Sequence, residues 1–542
     1  MDVYINGILT SNEASSSEAL QKFVEAASQV FSFPELNKNN QRKQLWDALF
    51  TLASSTENNT VLMNCFIAIR ILSREKTDLN ELMTDKWFNL IQIHSGLGTP
   101  DVIFENEKLQ VAVEVQKCLC NLIFNSSVVA AQCCKNGILQ QITERLKTCE
   151  EKKLPEQIKF FHVKQLFLLT ALCGEIRNRV RTEMNGTISL IQILEVTLKR
   201  AAEQATSGNI ALDDEKVDLV CEVLKALFNL TLNCYGNTND EEEDKQCEHL
   251  VVLLRMYLLM PTNSKEKSVA VKSNVINLLT NIHNDYYKNL VTPLQPEQKV
   301  SNKFTYDGNN MTAIYELLMF LKNQLSNDSG VSKQYETLSP SISVILKCAI
   351  SERSIRKYLR MQILPPLKDV HTRPEQGSTL RNYLCRLLTT PITQIRDLVA
   401  ELLFVLCKKS VKRMIKYTGY GNAAGLFAQR GLLGGKSDKE AADFSSDSED
   451  SETEEYAEFK HGINPVTGCY EAPHPSVMED MTEEQKEYEA MKLVELMHNL
   501  TKCGAIQPCR VGEDGKPHPI EHVLQLQEGL RAQQINNDSD SD

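Results

Sequence analysis

The sequence has few glycines and prolines and no long apolar run. With 23 glycines and 17 prolines among its 542 residues, it is neither collagen-like nor wholly disordered. No apolar stretch approaches the roughly 18 to 20 residues that a membrane helix needs, and the N-terminus lacks the basic and apolar regions of a signal peptide. We therefore predict no transmembrane segment and a cytoplasmic location, with recruitment to the cell cortex or plasma membrane as an open alternative.

Patterns of a metal site or a catalytic centre are also missing. The 16 cysteines include no C-x-x-C pair, and without an export signal they predict reduced, mostly buried thiols. The 10 histidines form no H-E-x-x-H motif. A formal charge of −12 disfavours a nucleic-acid partner, because phosphates bind to basic surfaces. We predict no cofactor, no metal ion, no nucleic acid and no catalytic residue, which favours protein binding over covalent catalysis.

Apolar residues instead recur at helical spacing from about residue 18 to residue 416, with few alternating strand patterns. The stretches 113–125 and 221–233 match in register. Each carries a Glu, a Lys and an Asn at the same points: Glu114, Lys117 and Asn121 in the first, Glu222, Lys225 and Asn229 in the second. Repeats of about 40 to 55 residues are typical of armadillo and HEAT arrays. We therefore predict an all-α armadillo/HEAT-type superhelix over residues 1–426, with an extended concave surface.

The composition changes after residue 426. Residues 427–480 begin rich in glycine and become strongly acidic, which predicts a linker. A last helix is predicted over residues 481–503, because Thr482 and Gln485 form a capping-box pattern and an apolar stripe follows. The stripe consists of Tyr488, Met491, Val494, Met497 and Leu500. Residues 504–542 are predicted to be a mostly disordered tail.

One glycine-rich motif resembles a phosphate-binding loop. GLLGGKS at 431–437 ends like the motif G-x-x-x-x-G-K-[ST], but Arg430 stands where its first glycine belongs. It leads into an acidic run and no strand precedes it. An enzyme that uses nucleotide through this loop is therefore the least favoured hypothesis.

Seven residues of the helical region are candidates for binding a partner. Asn121 and Asn229 lie on apolar helices, where an Asn amide suits either the main chain of a bound peptide or a neighbouring loop carbonyl. Phe161, Phe167 and Phe228 are aromatic anchors or, alternatively, core residues. Arg70 and Arg74, one helical turn apart, suit a carboxylate or helix C-terminal carbonyls, or else form a solvated basic face.

A second group of candidate residues consists of two serines in acidic surroundings and a cluster of cations. Ser446 and Ser451 each have an acidic residue three positions later, which is the pattern that a casein kinase 2-type kinase prefers. Arg353, Arg356 and Lys357 share one face of a predicted helix, and a phosphoserine could dock on such a cluster. The alternative is incidental acidity without modification.

Several segments resemble one protein family. They are ILSREK (71–76), KCLCNLIFNS (117–126), LFLLTAL (166–172), ILPPLKDVHTRPE (363–375), FVLCKKSVKRMIKYTGYGNAAGL (404–426), SETEEYAEFKHGINPVTG (451–468) and MTEEQKEYEAMKLV (481–494). Together they look like synembryn, also called resistance to inhibitors of cholinesterase. This is a family of chaperones and guanine-nucleotide exchange factors for heterotrimeric G-protein α subunits, and the similarity spans residues from about 60 to 500.

The resemblance implies a mechanism and places the candidates in it. It implies that the concave face takes the C-terminal helix of a GDP-bound Gα subunit that is free of βγ, and stabilises the nucleotide-free state. Arg70 and Arg74 would meet that helix and its carboxylate, with Asn121, Phe161, Phe167, Phe228 and Asn229 along the groove. Ser446 and Ser451 resemble the family's paired phosphorylation sites, although the second is often threonine, and Arg353, Arg356 and Lys357 would receive them. The helix over 481–503 would contact the client. The alternative is a passive armadillo-type adaptor or scaffold that binds extended peptides.

Overall fold

The computed structural model describes residues 6–8, 13–38, 40–98, 106–151, 153–204, 211–232, 241–295, 301–326, 331–433, 453–472, 478, 481–512 and 514–520. The chain forms two compact units, Met1–Asn289 and Leu290–Asp542. The predicted phosphorylation sites Ser446 and Ser451 lie outside the described residues.

The first unit is a succession of α-helices. In chain order they are α1 Glu13–Ala27, α2 Pro34–Lys38, α3 Gln41–Ser55, α4 Asn59–Leu72, α5 Leu79–Leu82, α6 Asp85–His94, α7 Asn106–Asn125, α8 Ser127–Lys135, α9 Ile138–Lys147, α10 Glu156–Leu172, α11 Ile176–Thr182, α12 Gly186–Gln204, α13 Asp214–Thr231, α14 Glu241–Leu259 and α15 Lys265–Leu279. A 3₁₀ segment, Asn284–Leu290, follows them.

Five of these helices pack one on the next, and we call them the ladder helices: α4, α7, α10, α13 and α15. The other long helices pack beside this row, as α3 does on α4 and α12 does on α13. The ladder helices have apolar residues on more than one side, because each packs against at least one other ladder helix and against a flanking helix. This arrangement explains why the two stretches that match in sequence belong to α7 and α13.

Polar side chains cap the starts of the ladder helices α4 and α13. The side chain of Asn58 accepts hydrogen bonds from the backbone N–H groups of Thr60 and Val61, at 3.0 and 3.4 Å. Asp213 accepts from the N–H of Lys216 at 2.8 Å and so caps α13. These bonds satisfy N–H groups that have no partner inside the helix.

The second unit is also mainly helical. Its helices are α16 Thr312–Ser326, α17 Val331–Ser351, α18 Arg353–Ile363, α19 Leu380–Leu387, α20 Thr393–Leu406, α21 Val411–Thr418, α22 Tyr420–Arg430, α23 Glu454–Phe459 and α24 Glu483–Lys502. Its strands are two or three residues long: β1 Thr292–Pro293, β2 Thr305–Tyr306, β3 Asn309–Asn310, β4 Ile463–Asn464, β5 Cys469–Tyr470, β6 Cys509–Val511 and β7 Pro517–Pro519. They pair antiparallel in the order β1-β3-β2 and as the hairpins β4-β5 and β6-β7.

The predicted fold class, an all-α armadillo/HEAT-type solenoid, is confirmed. Both hydrogen bonds of the predicted capping box at Thr482 and Gln485 are present at the start of α24. The predicted tail over 504–542 contains the β6-β7 hairpin, and its residues 521–542 lie outside the described part of the chain. Of the cysteines that the structure describes, 13 are buried, and Cys503 and Cys509 are exposed. None of the described helices is long and apolar enough to cross a membrane.

Candidate protein-binding face

Asparagine side chains join successive ladder helices. Asn121 on α7 donates its Nδ2 amide to the carbonyl oxygen of Arg70 on α4, at 3.3 Å. Asn229 on α13 donates to the carbonyl oxygen of Phe167 on α10, at 3.1 Å. Asn281, just after α15, donates to the carbonyl oxygen of Phe228 at 2.9 Å. The carbonyls of Arg70, Phe167 and Phe228 thus each accept an asparagine amide from the next ladder helix or from the residue just after it.

These bonds decide between the two predicted uses of the asparagine N–H groups. Asn229 also donates to the hydroxyl of Thr170 at 3.1 Å, and Asn281 donates to the hydroxyl of Thr231 at 3.0 Å. The Nδ2 groups thus satisfy main-chain and hydroxyl acceptors near the ends of neighbouring helices, which is the structural alternative of the sequence analysis. A contact of Asn121 or Asn229 with a partner stays a prediction.

Arg70 is tied to α7 at both its main chain and its side chain. Its Nε donates to the carboxylate of Glu114, a residue that is itself buried. The second oxygen of Glu114 lies 3.1 Å from the ammonium of Lys117. Because the Arg70 side chain remains 26% exposed, part of its guanidinium stays within reach of an approaching anion.

Arg74 follows the end of α4 and holds the loop after α1. Its Nη1 donates to the carbonyl oxygens of Ser28 and Val30, at 2.8 and 3.0 Å. Its guanidinium also lies 4.9 Å from the centre of the Phe31 ring, which is 67% exposed. Partial burial and the nearby charge of Arg70 lower the pKa of Arg74. Two cations held this close would both be stabilised by a carboxylate of a partner.

The three predicted phenylalanines are all half-buried. Phe161 packs against Ala112, Val113 and Ile158, and so joins α10 to α7. Phe161 and Phe160 form an edge-to-face pair with ring centres 5.1 Å apart. The two predicted roles, core residue and partner contact, are therefore compatible: one side of each ring packs inward and part of its surface is exposed.

Three lysines that the sequence analysis did not select form a row across the ladder helices. Lys164 and Lys225 each precede a predicted phenylalanine, Phe167 or Phe228, by three positions, and Lys117 aligns with Lys225 in the matching stretches. Because residues three positions apart lie on the same side of a helix, all three lysines share the side of the predicted aromatic residues. The sequence held two signals for these lysines: the alignment of Lys117 with Lys225, and the shared spacing of Lys164 and Lys225 from a predicted phenylalanine.

The lysine side chains lie along aromatic rings. The ammonium of Lys225 is 5.7 Å from the ring centre of Phe167 on the preceding ladder helix. That of Lys164 is 5.6 Å from the ring centre of Phe160. Lys117 and Lys225 are 42% and 37% exposed. We call this surface the ladder face, defined by Arg70, Lys117, Phe160, Phe161, Lys164, Phe167, Lys225 and Phe228.

A further exposed ring lies near Arg74. Phe124, at the end of α7, is 57% exposed, and the ammonium of Lys76 lies 5.1 Å from its ring centre. Phe31 and Phe124 thus each pair with a cation that follows α4. Neither ring could be selected from the sequence, because its cation comes from a different repeat.

The predicted phosphoserine-docking residues begin α18 in the second unit. Arg353 is exposed, whereas Arg356 and Lys357 are half-buried. Arg356 donates to the carbonyl oxygen of Ala349 near the end of α17, at 3.0 Å. Burial, followed by the charge of Arg353, lowers the pKa of Arg356. The structure therefore brings the predicted cations together, and their partners in the acidic run lie outside the described residues.

The apolar stripe of α24 is uncovered. The helix, which is described along its whole length, has no buried residue. Tyr488, Met491 and Val494 are 67%, 73% and 67% exposed. An uncovered apolar face of this kind is typical of an interaction surface. In the described residues, no group of three His, Cys, Asp or Glu side chains is arranged to hold a metal ion.

A family model and the similar whole-length proteins point to one family. A family model described as guanine nucleotide exchange factor synembryn, Ric8, matches residues 65–516. Chaperone Ric-8 of Drosophila melanogaster is 37% identical over 562 residues, covering 95% of this chain and 96% of the relative. Chaperone Ric-8A of Danio rerio is 38% identical over 558 residues, covering 100% and 99%. The crystal complex of SYS-1/POP-1 aligns with a TM-score of 0.48 at 11% identity, covering 81% of this chain and 70% of that one.

Proposed function

This chain belongs to the Ric8 family of chaperones and guanine nucleotide exchange factors, and we propose that its clients are α subunits of heterotrimeric G proteins. It engages the GDP-bound subunit without βγ by capturing the subunit's C-terminal helix. The observation that carries this proposal is the ladder face, on which cations and half-buried aromatic rings alternate over successive helices.

The ladder face suits an amphipathic helix that ends in a carboxylate. Aromatic rings provide apolar contact area at little cost in side-chain entropy, and Arg70 and Arg74 provide two neighbouring cations at one end. The lysine row supplies positive charge along the rest of the face, which also accelerates association with an acidic segment. Extended peptides are favoured less, because the asparagine N–H groups already donate within the ladder.

Nucleotide exchange follows from holding the client helix away from its own domain. A partner that binds the open state of a GTPase more tightly than the closed state shifts the population towards the open state. By the same linkage, GTP binding favours the closed state and releases the partner. No covalent step occurs, so the mechanism needs no catalytic acid or base. Chaperone activity uses the same contacts, because the face shields an apolar client helix until nucleotide is bound.

The helix α24 provides the second client contact in this proposal. Its support is the uncovered stripe that begins at Tyr488 and continues through Met491 and Val494. Two contacts carried by one chain raise the effective concentration of the second once the first has formed. Each contact alone is therefore expected to bind more weakly than the whole protein.

Phosphorylation by a casein kinase 2-type kinase is the proposed regulation. Ser446 and Ser451 become phosphoserines that dock on Arg353, Arg356 and Lys357. The support is the crowding of these cations at the start of α18, where a dianionic phosphate relieves repulsion and accepts several hydrogen bonds. We also propose that the protein acts in the cytoplasm and is recruited to the plasma membrane by its clients.

The test is GDP release from a panel of purified Gα subunits with and without this protein. We expect faster release for at least one class, and inhibition by a peptide with the sequence of that client's C-terminal helix. An acidic extended peptide of equal length and charge is the control. If GDP release is unchanged for every class, the exchange function is wrong; if both peptides inhibit equally, the protein is an unspecific peptide adaptor.

A further inference from the structure

One segment that precedes α24 in the chain and one segment that follows it both contact the same helix, α22. On the N-terminal side, the turn between β4 and β5 contacts the start of α22. The N–H groups of Tyr420 and Gly421 donate to the carbonyl oxygens of Pro465 and Val466, at 2.8 and 2.9 Å. These N–H groups belong to the first turn of α22, where no partner inside the helix is available.

This first contact requires two glycines. Gly419 and Gly468 both have positive φ, 75° and 72°, which other residues adopt only with strain. A Cβ atom on Gly468 would lie 3.0 Å from the Cα of Gly419 and 2.9 Å from the Cγ of Pro374. A Cβ atom on Gly419 would lie 3.0 Å from the carbonyl oxygen of Val466. We call Gly419 and Gly468 the N-terminal glycine contact.

On the C-terminal side, the β6-β7 hairpin contacts the end of α22. Gly431, the C-cap of α22, and Gly515, in the hairpin turn, again have positive φ, 72° and 71°. A Cβ atom on Gly515 would overlap the carbonyl oxygen of Gly431, and one on Gly431 would overlap that of Asp514. The N–H of Leu433 donates to the carbonyl oxygen of Gly515 at 3.3 Å. We call Gly431 and Gly515 the C-terminal glycine contact.

Burial in the hairpin agrees with this docking. Gly515 is buried, whereas the residues of β6 and β7 are exposed along their whole length. The hairpin turn, and not a face of the hairpin, therefore makes the contact. The helix α24 itself has no buried residue. Among the described residues, the β4-β5 turn before α24 and the β6-β7 hairpin after it both contact α22.

We propose that Gly419, Gly431, Gly468 and Gly515 are positioning residues, which fix both flanks of α24 to opposite ends of α22 and thereby present its apolar face to the client. This inference rests on the proposed role of α24 in client binding. A helix on a free tail samples many positions, whereas a helix held at both flanks is concentrated near one place. Replacing a glycine at either contact releases one flank without changing the stripe of α24 or the ladder face.

The experiment compares Gly468→Ala and Gly515→Ala with Gly308→Ala in the full chain. Gly308 is a matched control, because its φ is 73° and a Cβ atom on it would have nothing within 4 Å. Three quantities are measured: affinity for the nucleotide-free Gα subunit, affinity for the peptide of its C-terminal helix, and hydrogen exchange of the backbone amides of Tyr420, Gly421 and Leu433, which donate across the two contacts.

We expect both contact variants to bind the whole subunit at least about fivefold more weakly and to bind the peptide as the unaltered protein does. Gly308→Ala should change neither affinity. Faster hydrogen exchange at the altered contact, with unchanged affinity for the whole subunit, would overturn the inference. If the unaltered protein binds neither subunit nor peptide, the proposed function itself fails. Should Gly468→Ala unfold the second unit, Gly515→Ala in the exposed hairpin decides alone.

Discussion

The side-chain amide of Asn229 donates to the backbone carbonyl oxygen of Phe167 at 3.1 Å, and so links two residues that the sequence predicts for one binding face. The same bond recurs from Asn121 to Arg70 and from Asn281 to Phe228. Residues that are predicted to contact the partner and residues that join neighbouring helices are therefore close together. Substitutions in this region should separate the two roles.

Asn229→Ala is expected to lower stability. The carbonyl of Phe167 and the hydroxyl of Thr170 would lose a buried donor, which costs about 1–2 kcal/mol. Urea unfolding, followed by circular dichroism, measures this loss. Asn499→Ala on the exposed surface of α24 is the control and should leave the unfolding midpoint unchanged. Equal midpoints for both variants would contradict the structural role of the asparagine.

Lys164→Gln combined with Lys225→Gln should weaken client binding and keep the fold, because a Gln amide at 225 can still donate to Glu222, the buried carboxylate that Lys225 pairs with at 3.0 Å. Both ammonium groups lie on the ladder face, so their loss removes attraction for an acidic or carboxylate-ended helix. We expect about a three- to tenfold loss of affinity for the client's C-terminal peptide, and a smaller loss at high salt. Fluorescence anisotropy of the labelled peptide at two salt concentrations measures this affinity. Lys288→Gln, at a surface ion pair with Glu248, is the control; a loss of the same size there would argue against a specific role of the lysine row.

Met491→Ser combined with Val494→Ser should reduce affinity for the whole Gα subunit and leave stability unchanged. The two side chains are 73% and 67% exposed, so they contribute little to the folded state. The expected loss of affinity is about tenfold, as for apolar residues at the centre of an interface. Calorimetry with nucleotide-free Gα measures it, and Glu495→Ser on the same helix is the control. Unchanged affinity in the double variant would remove α24 from the binding mechanism.

His162 should make stability depend on pH. Its ring is fully buried, and burial, with a smaller contribution from the charge of Arg145, lowers its pKa to about 3. In the unfolded chain the imidazole takes up a proton near pH 6.5, so the unfolded state binds more protons below that pH. The free energy of unfolding should therefore fall by about 1.4 kcal/mol per pH unit from this group as the pH drops below 6.5.

The variant His162→Phe should lack this part of the pH dependence. The comparison is the difference in unfolding free energy between pH 7 and pH 5, measured for the unaltered chain, for His162→Phe and for His498→Gln, whose side chain is exposed. Only His162→Phe should show a smaller difference. The same difference in all three proteins would mean that His162 does not carry the effect.

The predicted regulation can be tested by combining kinase treatment with charge removal. Phosphorylation of Ser446 and Ser451 should raise exchange activity, and Ser446→Ala with Ser451→Ala should abolish the gain. Arg356→Ala with Lys357→Ala should also abolish it, because the phosphates would lose their docking cations. GDP-release rates before and after incubation with a casein kinase 2-type kinase measure the effect. Identical rates for treated and untreated protein would contradict the proposal.

The sequence predicted the helical layers well because their signal is local and repeated. The match of Glu114, Lys117 and Asn121 with Glu222, Lys225 and Asn229 indicated equivalent helices, and these helices are indeed two members of the ladder. The match between the two stretches did not show which groups the asparagine side chains bind. Their acceptors are backbone carbonyl groups of another helix. Every residue has such a group, so the residue types do not show which one is bound.

The glycines of the second unit show the same limit. GLLGGKS at 431–437 drew attention as a possible phosphate loop, yet its first glycine is the C-cap of α22 and contacts Gly515. A close approach of two backbones explains that glycine without any ligand. The contact could not be predicted, because it joins segments that are distant in the chain and its hairpin has no strong strand pattern.

The central claim is that this protein captures the C-terminal helix of a Gα subunit and thereby loosens bound GDP. The most direct measurement is GDP release from one Gα subunit in two forms, intact and shortened by its C-terminal residues, each with and without this protein. We predict accelerated release from the intact subunit and no acceleration, with at least about tenfold weaker binding, for the shortened one. Equal acceleration and equal affinity for both forms would contradict the account.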